Sequence, residues 1–385
     1  MMKITENLFH IGVNDRKLDL FEGQFIVENG MAYNSYIIND EKIAVLDTVD
    51  KNFEKEWFLN VKEVLGDKSP DYLIVHHMEP DHSANIDNFM NTYPDAKIVS
   101  SAKAFTMMKQ FFGTDYNERQ IVVADGDKLS LGTHELTFIT APMVHWPEVI
   151  VSYESNTKTL FSADAFGKFG TTDADEDWAC EARRYYFGIV GKYGAQVQSL
   201  LKKVGGLEIL RICSLHGPML TENLDYYMGL YNTWSTYGVE TEGVAIFYTS
   251  VYGNTKRAVE LLEEELRVLG CPKISVTDLA REDMAEAVED AFRYGKIILA
   301  TTTYNAGIFP FMQEFIQHLT ERNYQNKTIG IIENGSWALM AEKTIKSMLE
   351  KSKNITFTDS AVHIKSALSE ENYEEIKDLA REILK

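Results

Sequence analysis

The chain has 385 residues, enough for two ordinary domains that each bury a core. With 45% hydrophobic and 25% charged residues it has the composition of a globular protein, and no uncharged apolar run approaches the roughly 18 residues of a membrane span. A formal charge of −20 argues against a nucleic-acid partner, whose phosphates would be repelled over most of the surface. The start, Met1-Met2-Lys3-Ile4-Thr5-Glu6, lacks the apolar core of a signal peptide, so the expectation is a cytoplasmic protein without a membrane partner. Cys180, Cys213 and Cys271 are scattered and form no C-x-x-C pair, the pattern of buried reduced thiols rather than of disulfides or an iron–sulfur site.

Up to about residue 240 the chain reads as short strands separated by turns, with few helices. Ala32-Tyr-Asn-Ser-Tyr-Ile-Ile, Ile43-Ala-Val-Leu-Asp, Tyr72-Leu-Ile-Val and Lys97-Ile-Val-Ser are strand-like and bounded by Asp, Gly, Asn and Pro. Glu54 to Leu65 and Ala102 to Phe112 carry apolar residues at helical spacing. Strands dominate again from Ile121 to Phe161, so two sheets covered by outer helices fit the order. From Gly243 the pattern becomes strict strand–helix alternation. Val244-Ala-Ile-Phe-Tyr precedes a helix over Thr255–Leu269, and Ile274-Ser-Val precedes one over Arg281–Tyr294. Lys296-Ile-Ile-Leu-Ala precedes Pro310–Leu319, Thr328-Ile-Gly-Ile-Ile precedes Trp337–Lys351, and Ile355-Thr-Phe precedes Glu370–Leu384. Five such units predict a doubly wound parallel sheet. The expected domains are residues 1–240 and 243–385, with the boundary between Gly238 and Gly243.

The most informative stretch runs from Tyr72-Leu-Ile-Val into His77-x-Glu79-x-Asp81-His82. In extended chain, residues i and i+2 face the same way, so His77 and Glu79 converge on one metal while Asp81 and His82, at the turn beyond, reach a neighbouring one. A lone His-x-Glu is more often a solvated pair, but this density of ligand types directly after a buried strand favours metal. His145, Asp164 and His216 lie where other strands of the same half end. Singly each reads as a cap or a hydrogen-bonded core residue; together they complete two metal spheres with one carboxylate left over. His76, beside His77, has no place in the set.

These residues resemble the metallo-β-lactamase superfamily, whose motif is H-x-H-x-D-H, and Glu79 in place of the second histidine resembles its flavodiiron branch. A carboxylate there adds negative charge and a hard oxygen donor, which suits iron better than zinc. The resemblance implies His77, Glu79 and His145 on one iron, Asp81, His82 and His216 on the other, and Asp164 bridging them. Trp146 and Tyr193 resemble pocket residues of the family, and Tyr193 is the expected catalytic hydroxyl.

Tyr248-Thr-Ser-Val-Tyr-Gly-Asn-Thr-Lys256 follows a strand and opens a helix. Thr249, Ser250, Val251, Tyr252, Gly253, Asn254 and Thr255 offer hydroxyls and backbone N–H groups to an anion at a helix N-terminus. No G-K-S/T lysine follows, which sets nucleoside triphosphates aside. The segment resembles the flavodoxin phosphate loop, and a Ser/Thr/Asn helix cap is the plainer reading it displaces. The third strand ends in Thr302, Thr303, Tyr304, Asn305, Ala306 and Gly307, the fourth in Asn334, Gly335, Ser336 and Trp337. Ligands of such folds sit at the carboxyl ends of strands, so these loops are the expected flavin contacts, with Tyr304 stacking.

The resemblance therefore implies a metallo-β-lactamase-like αββα sandwich followed by a flavodoxin-like five-stranded sheet. It also implies FMN and two iron ions as cofactors, and reduction of O2 to water or NO to N2O as activity, with detoxification in an anaerobe as context. No rubredoxin-type module is visible in the sequence, so rubredoxin or a reduced deazaflavin is the expected electron donor. A head-to-tail homodimer, alone or as a dimer of dimers, is the expected assembly. The competing reading is a zinc hydrolase of the metallo-β-lactamase superfamily with a fused flavodoxin domain.

Overall fold

Ile43–Leu46 is buried on every side, as a strand inside a layered structure must be. The computed structural model, which describes residues 1–385, places it in the middle of a seven-stranded sheet. Met2–Lys3, Leu8–His10, Tyr36–Asn39 and Ile43–Leu46 run antiparallel in that order, and Tyr72–Ile74, Lys97–Ser100 and Gln120–Val122 continue parallel. A five-stranded sheet follows, from Lys128–Ser130 through Glu135–Thr140, Ile150–Glu154 and Thr159–Phe161 to Arg211–Cys213, the last pair parallel. Side chains alternate across a strand, and one alternate set from each sheet meets in a shared core: Tyr36, Ile38, Ala44, Leu46, Ile74 and Val99 against Leu136, Phe138, Ile150, Phe161 and Cys213. The two sheets thus form a sandwich. Helices Glu54–Leu65 and Ala102–Phe112 bury Trp57, Val61 and Leu65, and Ala104, Phe105 and Met108.

Two local expectations are revised. The single strand expected over Ala32–Ile38 divides into Met31–Tyr33 and Tyr36–Asn39, because Asn34 and Ser35 leave the ladder. The Asn34 amide donates to the Ser214 and Gly217 carbonyls, and Ser35 Oγ donates to the Asp47 carbonyl. Three further helices, Trp178–Tyr185, Gly194–Val204 and Leu224–Ser235, stand where the sequence suggested few.

Contacts separate the chain into two units, Met1–Tyr186 with Ala195–Asn232, and Phe187–Gly194 with Thr233–Lys385. In the second, parallel strands lie in the order Ile274–Asp278, Thr241–Tyr248, Tyr294–Tyr304, Gln325–Asn334, Lys353–Phe357, which is the 2-1-3-4-5 order of a flavodoxin-type sheet. The fifth strand is interrupted: Lys353–Phe357 pairs with the start of Gln325–Asn334, and Val362–Ile364 pairs with its end. Helices Asn254–Val268 and Glu370–Ile383 cover one face through Val259, Leu262, Leu266, Ile376, Leu379 and Ile383. The helix expected from Trp337 begins only at Ala341, leaving residues 335–340 as a loop.

Lys327 is an unusual occupant of this sheet. It is 2% exposed, and its ammonium donates to the carbonyls of Phe292 at 2.7 Å and Tyr294 at 2.6 Å without a carboxylate partner. Burial pushes its pKa down to about 7 from the ordinary 10.5. Between those values the unfolded chain binds the proton and the folded chain does not, so this residue's contribution to stability rises with pH. Lys327→Met should remove that rise. Urea unfolding of the full chain at matched pH should show wild type gaining on the variant by about 1.4 kcal/mol per pH unit between pH about 7 and 10. A difference that stays constant with pH would mean that the buried ammonium keeps an ordinary pKa.

Candidate metal centre and flavin cavity

Strand ends position the expected metal residues. His77, Asp164 and His216 each stand three residues past strands that end at Ile74, Phe161 and Cys213. Thr159–Phe161 and Arg211–Cys213 pair in register with Phe161 opposite Cys213, so Asp164 and His216 leave the sheet side by side. Glu79 is extended, at φ −61° and ψ 139°, and Pro80 then starts a single helical turn, Pro80–Ser83, which swings Asp81 and His82 to a second position. The extended reading of His77 and Glu79 and the turn reading of Asp81 and His82 match this backbone.

The side chains gather into two sets. In the first, His145 Nε2 lies 3.2 Å from His77 Nε2, 3.0 Å from Glu79 Oε2 and 2.9 Å from Asp164 Oδ2. In the second, His82 Nε2 lies 3.0 Å from His216 Nε2 and 3.3 Å from Asp81 Oδ2. Donors placed about 2.1 Å from a common ion lie roughly 3.0–3.4 Å from one another, so both sets have the spacing of a coordination sphere. Asp164 belongs to both: Oδ2 faces the first set, while Oδ1 lies 3.5 Å from His82 Nε2 and 3.8 Å from His216 Nε2.

The electrostatics call for cations. Both carboxylate oxygens of Asp81 and both of Asp164 are buried without a hydrogen-bond partner, an expensive condition for charged groups. Burial, and then the charges of Glu79 and Asp164, hold the Asp81 carboxyl well above its ordinary range. Burial and the neighbouring His216 push the His82 imidazole down. At His77 burial also acts downward, but Asp164, Glu148 and Glu79 overcome it and raise the pKa. In the protonation state that metal ligation requires, Glu79, Asp81 and Asp164 ionised and the four imidazoles neutral, the set would carry three negative charges, which two divalent cations would compensate. The residues fit a two-metal centre, and a mixed set of four imidazoles and three carboxylates suits iron.

Residues outside the expected set hold it in place. Glu148, 2% exposed, accepts from His77 Nδ1–H at 2.8 Å and from the Met78 N–H at 2.9 Å, leaving His77 Nε2 free to face the cluster. The Ala32 carbonyl does the same for His216, accepting from Nδ1–H at 2.8 Å. Thr48 donates through both its N–H and its Oγ1 to the His82 carbonyl, each at 2.8 Å. An acidic residue three positions after His145 was the one sequence clue to Glu148. Glu22, on the hairpin Leu20–Phe21/Phe25–Ile26, carries a carboxyl pushed up to about 7, by desolvation and then by the Glu79 charge.

Of the aromatic residues, Trp146 stands edge-on to His77 with ring centroids 5.2 Å apart. Tyr193 lies half-buried on the turn Gly191–Tyr193 and groups with the second unit. Tyr185 lies against the cluster, 5.5 Å from His216 between centroids, and Tyr33 packs beside both His82 and His216. Burial, and then Asp164, Glu79 and Asp81, keep the Tyr185 hydroxyl protonated.

In the second unit a cavity of about 700 Å3, the size of a cofactor pocket, opens at the carboxyl ends of the strands. It is lined by Ser250, Val251, Tyr252, Asn254 and Thr255, by Thr302, Thr303, Tyr304, Asn305 and Ala306, and by Asn334, Gly335, Ser336 and Trp337. The remaining three expected contacts shape it from outside. Thr249 is buried beneath, 2.7 Å from Thr301 Oγ1; Gly253 holds φ 92° at the cap of helix Asn254–Val268; Gly307 pairs back onto Tyr304. Ser250 Oγ accepts from the N–H groups of Gly253 and Lys256. Ala338, Met340 and Ser366 also line the cavity and carried no sequence signal. Tyr252 and Trp337 are 94% and 96% exposed, so packing within the unit does not explain them.

Comparison with known proteins follows this division. A family profile described as "ODP family beta lactamase" matches residues 31–217, and one described as "Flavodoxin domain" matches residues 245–374. "Putative diflavin flavoprotein A 3" of Nostoc sp. is 30% identical over 370 residues, covering 93% of this chain and 63% of that protein. "Anaerobic nitric oxide reductase flavorubredoxin" of Salmonella arizonae is 26% identical over 361 residues, covering 90% of this chain and 74% of that protein. The chain spans 47–63% of the length of the four diflavin relatives it matches. Among solved structures, rubredoxin oxygen:oxidoreductase from the anaerobe Desulfovibrio gigas superposes with a TM-score of 0.91 at 26% identity, covering 100% of this chain and 97% of that one.

The shared carboxylate makes a distinct prediction. Asp164→Ala should reduce metal uptake at both positions, whereas His216→Ala should weaken one position and leave the other near its wild-type affinity. Titration of the metal-stripped full chain with cobalt(II) counts the ions bound. Equal losses from the two variants would contradict the division of the donors.

Proposed function

We propose that this chain is a flavodiiron protein, passing electrons from a donor through FMN to a di-iron centre that reduces O2 to water, NO to N2O, or both. Its flavodoxin-type domain is an FMN-binding module, and the family carries its di-iron site in the β-lactamase-like domain. The observation that carries the proposal is the division of the Asp164 oxygens between two donor sets, the arrangement of a bridged pair of metals. His77, Glu79 and His145 would hold one iron, and Asp81, His82 and His216 the other.

When bound, FMN supplies electrons and the irons supply open positions at which a diatomic molecule is polarised. The chain's own residues supply order and exclusion. Glu148 and the Ala32 carbonyl keep His77 and His216 in one tautomer and one orientation. Trp146 beside His77, and Phe21 and Tyr185 beside His216, wall the centre with apolar surface and keep bulk water away. The hydroxyl role expected of Tyr193 passes on this reading to Tyr185. In the other domain, Ser250, Asn254 and Thr255 with the loop N–H groups hold the FMN phosphate. Tyr304 and Trp337, which line the same cavity, would hold the flavin ring.

The donor on this reading is rubredoxin or a reduced deazaflavin, the setting the cytoplasm of an anaerobe, and the role removal of O2 or NO. No helix is long and apolar enough to cross a membrane. Residues 1–240 act as the di-iron domain and residues 243–385 as the flavin domain. The working unit is a head-to-tail homodimer, singly or as a dimer of dimers, in which the flavin of one subunit serves the irons of the other.

Two measurements check this reading. Anaerobically purified protein should hold about two irons per chain and, once reduced, consume O2 or NO faster than free flavin does. Full activity with stoichiometric zinc instead of iron would overturn the di-iron mechanism. For the dimer, His145→Ala is mixed with the flavin-binding double variant Asn254→Asp/Thr255→Ala, each inactive alone. Subunit exchange should restore activity. Heterodimers that form, keep their remaining cofactors and stay inactive would mean that electrons move within a chain.

A further inference from the structure

His76 contributes no atom to either donor set, although it precedes His77 directly. Its side chain is 1% exposed and is gripped by Asp47 twice. Asp47 Oδ1 accepts from the His76 backbone N–H at 2.7 Å, and Oδ2 accepts from Nδ1–H at 2.5 Å. On the other side of the ring, Nε2 lies 2.8 Å from Ser152 Oγ, and the ring itself stacks on Phe161 with an interplanar angle of 21°. The row Asp47–His76–Ser152 has the connectivity of a hydrolytic triad. Its serine is 0% exposed and its aspartate 1%, so no substrate reaches the hydroxyl.

The ends of the row indicate its task. Asp47 directly follows strand Ile43–Leu46 of the seven-stranded sheet, and His76 follows Tyr72–Ile74 of the same sheet. Ser152 lies within Ile150–Glu154 of the five-stranded sheet, paired with Phe138 and Phe161 on the face that forms the shared core. A hydroxyl stands there where side-chain alternation calls for an apolar group. The row therefore crosses the sandwich from sheet to sheet, immediately behind His77. Apolar packing is non-directional and leaves a strand end free to rotate, whereas hydrogen bonds fix direction. Asp47 itself holds φ 55°, a conformation non-glycine residues rarely adopt, with its side chain anchored by the two bonds to His76.

We propose that His76 is a positioning residue for the metal centre. Locked between Asp47 and Ser152, it fixes the backbone rotation at residue 77 and so the aim of His77 Nε2 and Glu79 Oε2. The proposal rests on the reading of His77 and Glu79 as metal ligands. His76→Asn keeps a donor to Asp47 where Nδ1 stands, His76→Gln keeps an amide oxygen that can accept from the Ser152 hydroxyl where Nε2 stands, and His76→Ala keeps neither.

The probe is cobalt(II) bound to the metal-stripped full chain, read by its visible absorption and by its rate of transfer to a chelator. Wild type should take up two ions. His76→Asn, which retains the Asp47 bond, should release cobalt within about threefold of the wild-type rate. His76→Gln and His76→Ala should release it about tenfold faster or more, with a shifted spectrum, while flavin content and circular dichroism stay unchanged. Ser152→Ala removes a single hydroxyl and keeps the Asp47 bond, so it should shift the spectrum slightly with release within about threefold of wild type, and it serves if the larger changes do not fold. Wild-type spectra and release rates in every folded variant would overturn the proposal and leave His76 a core residue only. Failure of wild type to bind two ions would overturn the ligand reading, and the positioning role with it.

Discussion

Buried carboxylates repel one another, and the first unit is organised around that repulsion. Glu79, Asp81 and Asp164 meet among four imidazoles, and Asp81 and Asp164 have no hydrogen-bond donor to satisfy them. An interior can hold such a group only with compensating positive charge, so the centre makes physical sense as a container for cations. Everything nearby serves to hold the donors against their mutual repulsion. Glu148 ties His77 to the segment that carries His145, Thr48 ties His82 to the end of Ile43–Leu46, and the Ala32 carbonyl holds His216.

The second unit solves a different problem by different means. Its cavity is built of backbone and small polar side chains at strand ends, with exposed aromatic rings at the rim. No buried charge has to be compensated there, because an anion can be met by N–H groups at the start of Asn254–Val268. Gly335 shows how tight the loop is: a Cβ on it would lie 2.1 Å from the Ala338 carbonyl oxygen. That tightness explains why the segment from Trp337 stays out of the helix that its sequence suggested.

Much of this was legible in the residues, for reasons that also explain the gaps. Strands such as Ile43–Leu46 are apolar runs between turn formers, and the donor residues are chemically conspicuous where strands end. The strand expected over Ala32–Ile38 failed because Asn34 and Ser35 spend their side chains on distant carbonyls, which no local pattern reveals. Helix Trp178–Tyr185 was missed because its buried face carries Arg183 and Arg184, which break the apolar stripe; the Arg184 guanidinium lies 4.6 Å from the Phe169 ring centre. Ser366 lines the cavity through three-dimensional neighbours alone. Tyr193 is the tyrosine that the sequence singles out, whereas Tyr185 comes against His216 through packing alone.

The placement of His77, Asp164 and His216 three residues beyond their strands has an evolutionary corollary. The ladder hydrogen bonds that hold each strand close before the donor is reached. Exchanging one donor type for another at these positions therefore leaves the sheets' own bonding intact, and chemistry can be rewritten without refolding the sandwich. Glu79, where the H-x-H-x-D-H motif has an imidazole, likewise stands outside the strands. A scaffold of this kind is readily retuned from one metal to another, since selection on the donors and selection on the fold act on separate residues.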